Sequence, residues 1–178
     1  IAVKSFDELQ YFVNLTSIEG SAFRGCSSLT RVTIPDSVTS IGYYAFIDCS
    51  SLTSITIPDG VVSIGRSAFS GCSSLTSITI PDSVMSIEGF AFSDCSSLTS
   101  ITIPDGVTSI EEYAFEGCSS MKEVYCKSTT PPAGGFGMFN NNSLERKIYV
   151  PTESVEAYKA ANRWSDYAGY IVGYDFSE

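Results

Sequence analysis

Apolar residues recur along this chain at fixed intervals, and the whole pattern repeats every 23 residues. In register, each unit reads Leu-x-x-Ile-x-Ile-Pro-Asp-x-Val-x-x-Ile-x-x-x-Ala-Phe-x-x-Cys-Ser-Ser. The leucine column holds Leu29, Leu52, Leu75, Leu98 and Met121. The next two inward columns are Val32, Ile55, Ile78, Ile101, Val124 and Ile34, Ile57, Ile80, Ile103. After the proline come Val38, Val61, Val84, Val107 and then Ile41, Ile64, Ile87, Ile110, and Phe23, Phe46, Phe69, Phe92, Phe115 close each unit. Cys26, Cys49, Cys72, Cys95 and Cys118 mark the period. A fixed period in this range is the signature of a solenoid, whose units bury their apolar faces only by stacking on copies of themselves.

Within a unit, Leu-Thr-Ser-Ile-Thr-Ile alternates apolar and hydroxyl residues, the period of a half-buried strand. Pro35, Pro58, Pro81 and Pro104 end that strand, because proline has no N–H for a ladder. Pro-Asp-Gly and Pro-Asp-Ser turn the chain, and Val-Thr-Ser-Ile comes next as a shorter extended piece. The Ala-Phe-x-x-Cys stretch is too short for a free helix and is expected to make one helical or 3₁₀ turn. The expected fold is therefore a repeat solenoid with one short parallel β-strand, a second extended segment and a short helical turn per coil. About six coils stacked ~4.8 Å apart span about 30 Å.

The ends depart from the pattern. The first eighteen residues fit the frame without cysteine, with Phe6, Leu9, Tyr11, Leu15 and Ile18 in the leucine, isoleucine and valine columns. Ile1 enters directly into this degenerate repeat, so the N-terminus reads as a cut within a longer protein. Residues 127–142, with Pro131, Pro132, three glycines and three asparagines, read as a loop, with Phe136 and Phe139 tucked under the cap. Lys147 to Val150 reads as a strand, Thr152 as the N-cap of a helix running to about Trp164, and Tyr170 to Val172 as a last strand. Val155, Tyr158, Ala161 and Trp164 form the helix's apolar stripe. The division expected is a solenoid over residues 1–126, of which 1–22 are a degenerate N-terminal coil. A C-terminal α/β cap over 127–178 is continuous with it and covers its open end.

Charge narrows the function. Lys plus Arg is 10 and Asp plus Glu is 20, a net −10. From Val32 to Met121 the one basic side chain is Arg66. A phosphate backbone needs Lys and Arg to replace its counterions, so no nucleic-acid binding is expected, and anionic membranes are disfavoured alike. No apolar run approaches a membrane span. The chain has no histidine, hence neither the commonest general base nor the commonest metal ligand.

The columns resemble the BspA-like leucine-rich repeats of bacterial surface proteins. The residues that carry the resemblance are Leu52 through Asp59, Val61 through Ile64, and Ala68-Phe69 through Cys72, with their equivalents in each coil. The entry Phe6-Asp7-Glu8-Leu9-Gln10-Tyr11-Phe12 is similar to the family's first coil. The exit from Val124-Tyr125-Cys126 through Ile148-Tyr149-Val150-Pro151 to Ser154–Lys159 is similar to its C-terminal cap. The resemblance implies a leucine-rich-repeat solenoid in a secreted or surface-attached protein, with adhesive or host-interaction roles and no catalytic residues.

Several columns invite chemistry. One thiol per coil makes a line and not a tetrahedron, so the cysteine ladder is a poor zinc site. Disulfides between neighbouring coils are conceivable at ~5 Å, but equivalent side chains point the same way; buried free thiols acting as small hydrophobes are the favoured reading. Cys126 lies off this ladder, buried or exposed. Asp36, Asp59, Asp82 and Asp105 suit either calcium or, the preferred reading, turn geometry. Glu111 and Glu112 are adjacent, so they point apart on extended chain and make no acid/base pair. The glycine-rich stretch from Gly134 to Phe139 lacks the lysine of a phosphate cradle.

The strand's outward positions are the candidate binding residues: Arg31, Thr33, Ser54, Thr56, Ser77, Thr79, Ser100, Thr102 and Tyr125. Hydroxyls there suit a solvated strand as well as a ligand. The variable column Tyr43, Arg66, Gly89, Glu112 is a second candidate edge. Together these features point to a non-enzymatic, extracellular or cell-surface adhesion module. It is a monomer with no cofactor and no metal, and it binds a host or bacterial surface protein or glycan. A passive spacer or stalk is the alternative, and a calcium-dependent glycan binder the third.

Overall fold

The computed structural model describes residues 3–177; residues 1 and 2 of the expected first coil and residue 178 of the expected cap lie outside it. The strands are β1 (Ser5–Phe6), β2 (Ser17–Ile18), β3 (Arg31–Val32), β4 (Ser40–Ile41), β5 (Ser54–Thr56), β6 (Ser63–Ile64), β7 (Ser77–Thr79) and β8 (Ser86–Ile87). They continue with β9 (Ser100–Ile103), β10 (Ser109–Ile110), β11 (Glu123–Cys126), β12 (Ala133–Gly134), β13 (Lys147–Pro151), helix α1 (Val155–Ala160) and β14 (Ile171–Tyr174). Every pairing among them is parallel, and in the regular coils partners fall 23 residues apart: Ser54 lies opposite Ser77 and Ile41 opposite Ile64. The alternation of apolar and hydroxyl residues sends the isoleucines inward and the hydroxyls out.

The even-numbered strands β2 to β12 form one six-stranded sheet in sequence order. The first strand of each coil builds the opposite wall as β1–β3, β5–β7 and β9–β11–β13–β14, with a single bridge from Thr33 to Thr56 joining the first two. The leucine, isoleucine, valine and phenylalanine columns fill the space between the walls and are buried from Leu29 onward, and Phe23 before them is half-buried. Phe46, Phe69, Phe92 and Phe115 stack face to face with ring centroids 5.3 Å apart.

The Ala-Phe-x-x-Cys stretch is not a helical turn. It is a third ladder of overlapping turns. Alternate N–H groups close turns within the coil, as Cys49 N–H does on Phe46 O at 3.2 Å. The others cross to the next coil: Tyr44 N–H to Arg66 O at 2.9 Å, Phe46 N–H to Ala68 O at 2.7 Å, and Asp48 N–H to Ser70 O at 2.8 Å. Two residues per coil, four apart, take positive φ, which forbids helix propagation: Tyr44 and Asp48, Ser67 and Gly71, Phe90 and Asp94, Tyr113 and Gly117. The second of these columns runs Gly25, Asp48, Gly71, Asp94, Gly117, Asn141, glycine alternating with a side chain. A Cβ on Gly71 would meet Asp48 Oδ1 at 2.7 Å, and one on Gly117 would lie closer still to Asp94 Oδ1. Each acidic side chain leans over the next coil and occupies the place its successor would need.

The ends correct several expectations. Phe6 pairs with Val32, not with the leucine column, and Asp7–Tyr11 is a 3₁₀ turn that leaves Tyr11 in solvent. Residues 127–142 are a further coil in disguise. Ala133–Gly134 extends the six-stranded sheet, and Phe139 stacks on Phe115 at 5.5 Å. One inserted residue and the loss of cysteine hid this; the buried Asn142 takes the cysteine's place. Phe139 is buried, but Phe136 lies on the surface, 52% exposed. The helix stops at Ala160, because Ala161 is extended and Arg163 has φ 68°, an αL residue of the kind that ends helices. Thr152 does not cap it: Thr152–Ser154 is a 3₁₀ turn without a side-chain cap bond. Tyr158 and Trp164 are nonetheless buried together, their rings 4.8 Å apart and edge-on. Trp164 Nε1 donates to Pro132 O at 2.7 Å, and Tyr158 OH to Ser128 O at 2.8 Å. Trp164 and Tyr167 close the phenylalanine stack, both packing on Phe139.

Gly25 has φ 69° and an open surrounding, so Gly25→Ala isolates the backbone cost, about 1–2 kcal/mol. Gly117→Ala adds the clash with Asp94, about 1–3 kcal/mol more. Urea unfolding should show that difference, and Asp94→Gly in the Gly117→Ala background should recover the added part. Equal losses at the two glycines would refute the steric account of the alternation.

Candidate recognition face

The nine candidate residues all lie on one wall, on the outward positions of β3, β5, β7, β9 and β11 or, for Thr33, just beyond β3. Ser54, Ser77, Thr33, Thr56, Thr79 and Thr102 are exposed, and Ser100 and Tyr125 are half-buried. Two files result. Ser54 faces Ser77, and Ser100 faces Glu123, which in turn faces Lys147. Thr33 faces Thr56, Thr56 faces Thr79, and Thr102 faces Tyr125, which faces Tyr149. Within a file the rungs are ~4.8 Å apart, and the two files are separated by about 6.7 Å along the strand.

Hydrogen bonding sorts the hydroxyls into two kinds. One column to the side, three hydroxyls reach back to the preceding coil. Thr30 Oγ1 donates to Lys4 O at 2.9 Å, Thr53 Oγ1 to Thr30 O at 3.2 Å, and Thr76 Oγ1 to Thr53 O at 3.3 Å. Ser37, Thr39, Ser83 and Thr108 make the same kind of bond at other corners. Among the described residues, none of Thr33, Ser54, Thr56, Ser77, Thr79, Ser100 and Thr102 has an intramolecular side-chain partner. Their donors and acceptors face solvent in register.

Arg31 is less free than its sequence position implies. Its Nε lies 3.2 and 3.1 Å from the two carboxylate oxygens of Asp7, and Nη2 is 2.7 Å from Oδ2. That paired bond raises the guanidinium pKa further, with the charge of Asp7 adding to it. At the other end the file becomes aromatic. Tyr125 and Tyr149 stack at 4.7 Å, and Tyr174 meets both edge-on at 5.5 Å. Phe176 lies 4.9 Å from Tyr174. Sequence reading singled out Tyr125 and missed its companions; Tyr149, 24 residues downstream in a matching strand, was the available signal.

The variable column forms a network of its own. Arg66 Nη1 reaches Glu112 Oε1 at 2.8 Å, two coils away. It crosses Gly89, where a Cβ would meet Arg66 Nη1 at 2.8 Å. The guanidinium lies 5.0 Å over Phe90, whose ring stacks on Tyr113 at 5.0 Å. Glu88 and Glu111 accept the backbone N–H groups of Arg66 and Gly89 at 2.9 and 3.0 Å. Glu111 and Glu112 therefore serve different partners.

The six cysteines are free; Cys26 is half-buried and the rest are buried, Cys126 included. Four of the five ladder thiols donate to a phenylalanine carbonyl of the preceding coil, from Cys49 to Phe23 at 3.1 Å through Cys118 to Phe92 at 3.2 Å. Burial, first of all, pushes Cys49 and Cys118 up to about 12 and raises Cys72, Cys95 and Cys126 as well. These are protonated, inert groups. Asp36 sits exposed in a turn closed by Val38 N–H on Pro35 O at 3.0 Å. Among the described residues no three Cys, Asp or Glu side chains gather as metal ligands, and no helix is long and apolar enough to cross a membrane.

A family model, the BspA type leucine rich repeat region, matches in 6 copies over residues 2–60 and 40–162. Among solved structures, the chain is similar to the T. pallidum leucine rich repeat protein TpLRR, with 28% identity and a TM-score of 0.63 over 90% of this chain and 79% of that one. A leucine-rich repeat protein from Bacteroides capillosus is 32% identical, with a TM-score of 0.50 over 55% of this chain and 76% of that one. The pneumococcal vaccine antigen PcpA shares the fold at 19% identity and a TM-score of 0.59, over 81% of this chain and 40% of that one. No curated protein matches the chain.

Alkaline stability tests the thiol assignment. In the unfolded chain these thiols ionise near the ordinary value of 9.0, but Cys49 and Cys118 in the fold only near 12. The thiolate then stabilises only the unfolded state. Stability should be full below about 9 and should fall as pH rises toward about 12. Urea midpoints should show the fall, and it should be shallower in Cys72→Ala/Cys95→Ala. In a thiol-labelling assay near neutral pH, Cys26 should react and the other five only after denaturant is added.

Proposed function

The chain belongs to the BspA-type leucine-rich repeat family, and from that membership we propose that it is a non-enzymatic recognition module of the bacterial surface. It binds a protein or glycan of host or bacterial origin through the outward face of its first-strand wall, and it acts as a monomer. The family is a repeat scaffold of bacterial surface proteins. A scaffold of this kind contributes position and not reactivity.

The observation that carries this reading is the sorting of the hydroxyls. Threonines and serines of the flanking columns bond carbonyls of the preceding coil. The face set, from Thr33 to Thr102, stays unengaged among the described residues. These groups are held on backbone that is tied rung to rung within β5–β7 and within β9–β11, so fixing them against a ligand costs little further entropy. Each is already hydrated, so exchanging water for a ligand's polar edge costs little desolvation.

The spacer reading is favoured by a different observation: the middle rungs present the same Ser–Thr pair at Ser54/Thr56, Ser77/Thr79 and Ser100/Thr102. The two separate in one measurement. On an array of host-matrix proteins and glycans, Arg31→Ala/Thr56→Ala/Thr79→Ala/Tyr125→Ala should lose roughly tenfold or more in affinity for whatever the native chain retains. A native chain that retains nothing is a spacer.

A further inference from the structure

We propose that the aromatic end of the recognition face is a saccharide site, with a neutral sugar ring seated against Tyr174 and Phe176. This rests on the recognition reading and names a ligand class for one end of that face. Two adjoining hollows, about 640 and 290 Å³, share Lys127, Tyr174 and Phe176. The smaller also meets Thr102 and Tyr125 of the hydroxyl file, and the larger runs on past Glu153 to Asp175. The larger volume is in the range of small-molecule sites.

The rings are set in advance. Tyr174, 42% exposed, is wedged at steep angles by Tyr125, Tyr149 and Phe176, at 74°, 67° and 62°. Rings packed edge to face on a strand end have few rotamers left to lose. The turn beyond β14 is fixed too. Asp175 Oδ1 accepts from Ser177 N–H at 2.9 Å and from Ser177 Oγ at 2.6 Å, which leaves Oδ2 for a ligand.

The chemistry around the rings selects the ligand. A pyranose has a C–H face that packs on an aromatic ring, and hydroxyls that both donate and accept. Glu153 and Asp175 accept from such hydroxyls, and Lys127 donates to them. One cation against two carboxylates, on a chain of net −10, suits a neutral ring and repels an anionic one. A peptide taken up by strand addition needs main-chain partners. Pro151, in this floor, has no N–H to give one.

Calorimetric titration of the full chain with maltotriose, cellotriose and N-acetylglucosamine trimer tests the site, with an alternating Val-Thr octapeptide as the peptide probe. At least one trisaccharide should bind. Tyr174→Ala and Phe176→Ala should each weaken it about tenfold, whereas Tyr174→Phe, which keeps the ring, should retain it. Glu153→Gln, at an exposed position, should weaken it about fivefold with unchanged melting, so that loss of binding is not loss of fold. Met85→Ala, exposed beside β8 on the other wall, should leave it unaltered. The proposal is overturned if no trisaccharide binds, if binding ignores Tyr174→Ala, or if the octapeptide is what Tyr174→Ala displaces. The broader reading fails separately. A native chain that binds surface material in a manner sensitive to Thr56→Ala and Thr79→Ala keeps its recognition role without a saccharide cleft. One that binds nothing loses both.

Discussion

Every coil of this protein must tolerate its own copy one rung away, and that self-compatibility governs which residues repeat. Flat rings meet the condition well: Phe46 through Phe115 lie nearly parallel, tilted by 1°, 4° and 6° between successive pairs. Small thiols meet it by reaching diagonally to a phenylalanine carbonyl and not to one another. The column Gly25, Asp48, Gly71, Asp94, Gly117, Asn141 meets it by alternation. The cause there is steric and not electrostatic. The exposed turn aspartates Asp36, Asp59, Asp82 and Asp105 repeat without a break, because their carboxylates extend into water that screens them.

The same condition explains how the backbone is satisfied. Strand N–H groups reach back to the preceding coil, as Gly42 does to Ile18 O at 2.8 Å, whereas turn-ladder N–H groups reach forward, as Phe46 does to Ala68. The polarity reverses within two residues, between Gly42 and Tyr44. A reversal so abrupt leaves N–H groups without a backbone acceptor, and in two coils Glu88 and Glu111 supply it. The variable column at this corner is thus a place where side chains finish the ladder's work. Its distinctive residues answer to structure before they answer to a ligand.

Columns that repeat the same letters could be read directly from the chain, since identical letters one period apart had to become neighbours in space. The leucine, isoleucine, valine and phenylalanine files were legible for that reason, and so was the outward set from Thr33 to Thr102. What could not be read was whatever depends on a neighbour of different identity. Phe139 continues the stack of Phe115, but a one-residue insertion and Asn142 in place of cysteine disguise its coil as a loop. Thr53 and Thr56 look alike in sequence; only the position of Thr30 O tells that one hydroxyl is engaged. Helical stripe spacing linked Tyr158 to Trp164 correctly and implied a continuous helix wrongly, because Arg163 turns left-handed between two buried aromatics. The Tyr174 and Phe176 cluster escaped because its strand carries no period marker.

Repetition also limits what the face can say. A ligand lying along Ser54/Thr56, Ser77/Thr79 and Ser100/Thr102 meets the same groups after sliding one rung, so those contacts add affinity without fixing position. Register has to come from where the repetition fails. At one end, Arg31 and Asp7 hold a charge pair in the open. At the other, threonine gives way to Tyr125 and then Tyr149, and the wall turns from hydroxyl to aromatic. The two ends differ in chemistry as well as in place, so a ligand that touches either is positioned, and one that spans both is oriented. The uniform rungs between set the distance, and their free hydroxyls let that distance be bridged by many polar surfaces without selecting among them.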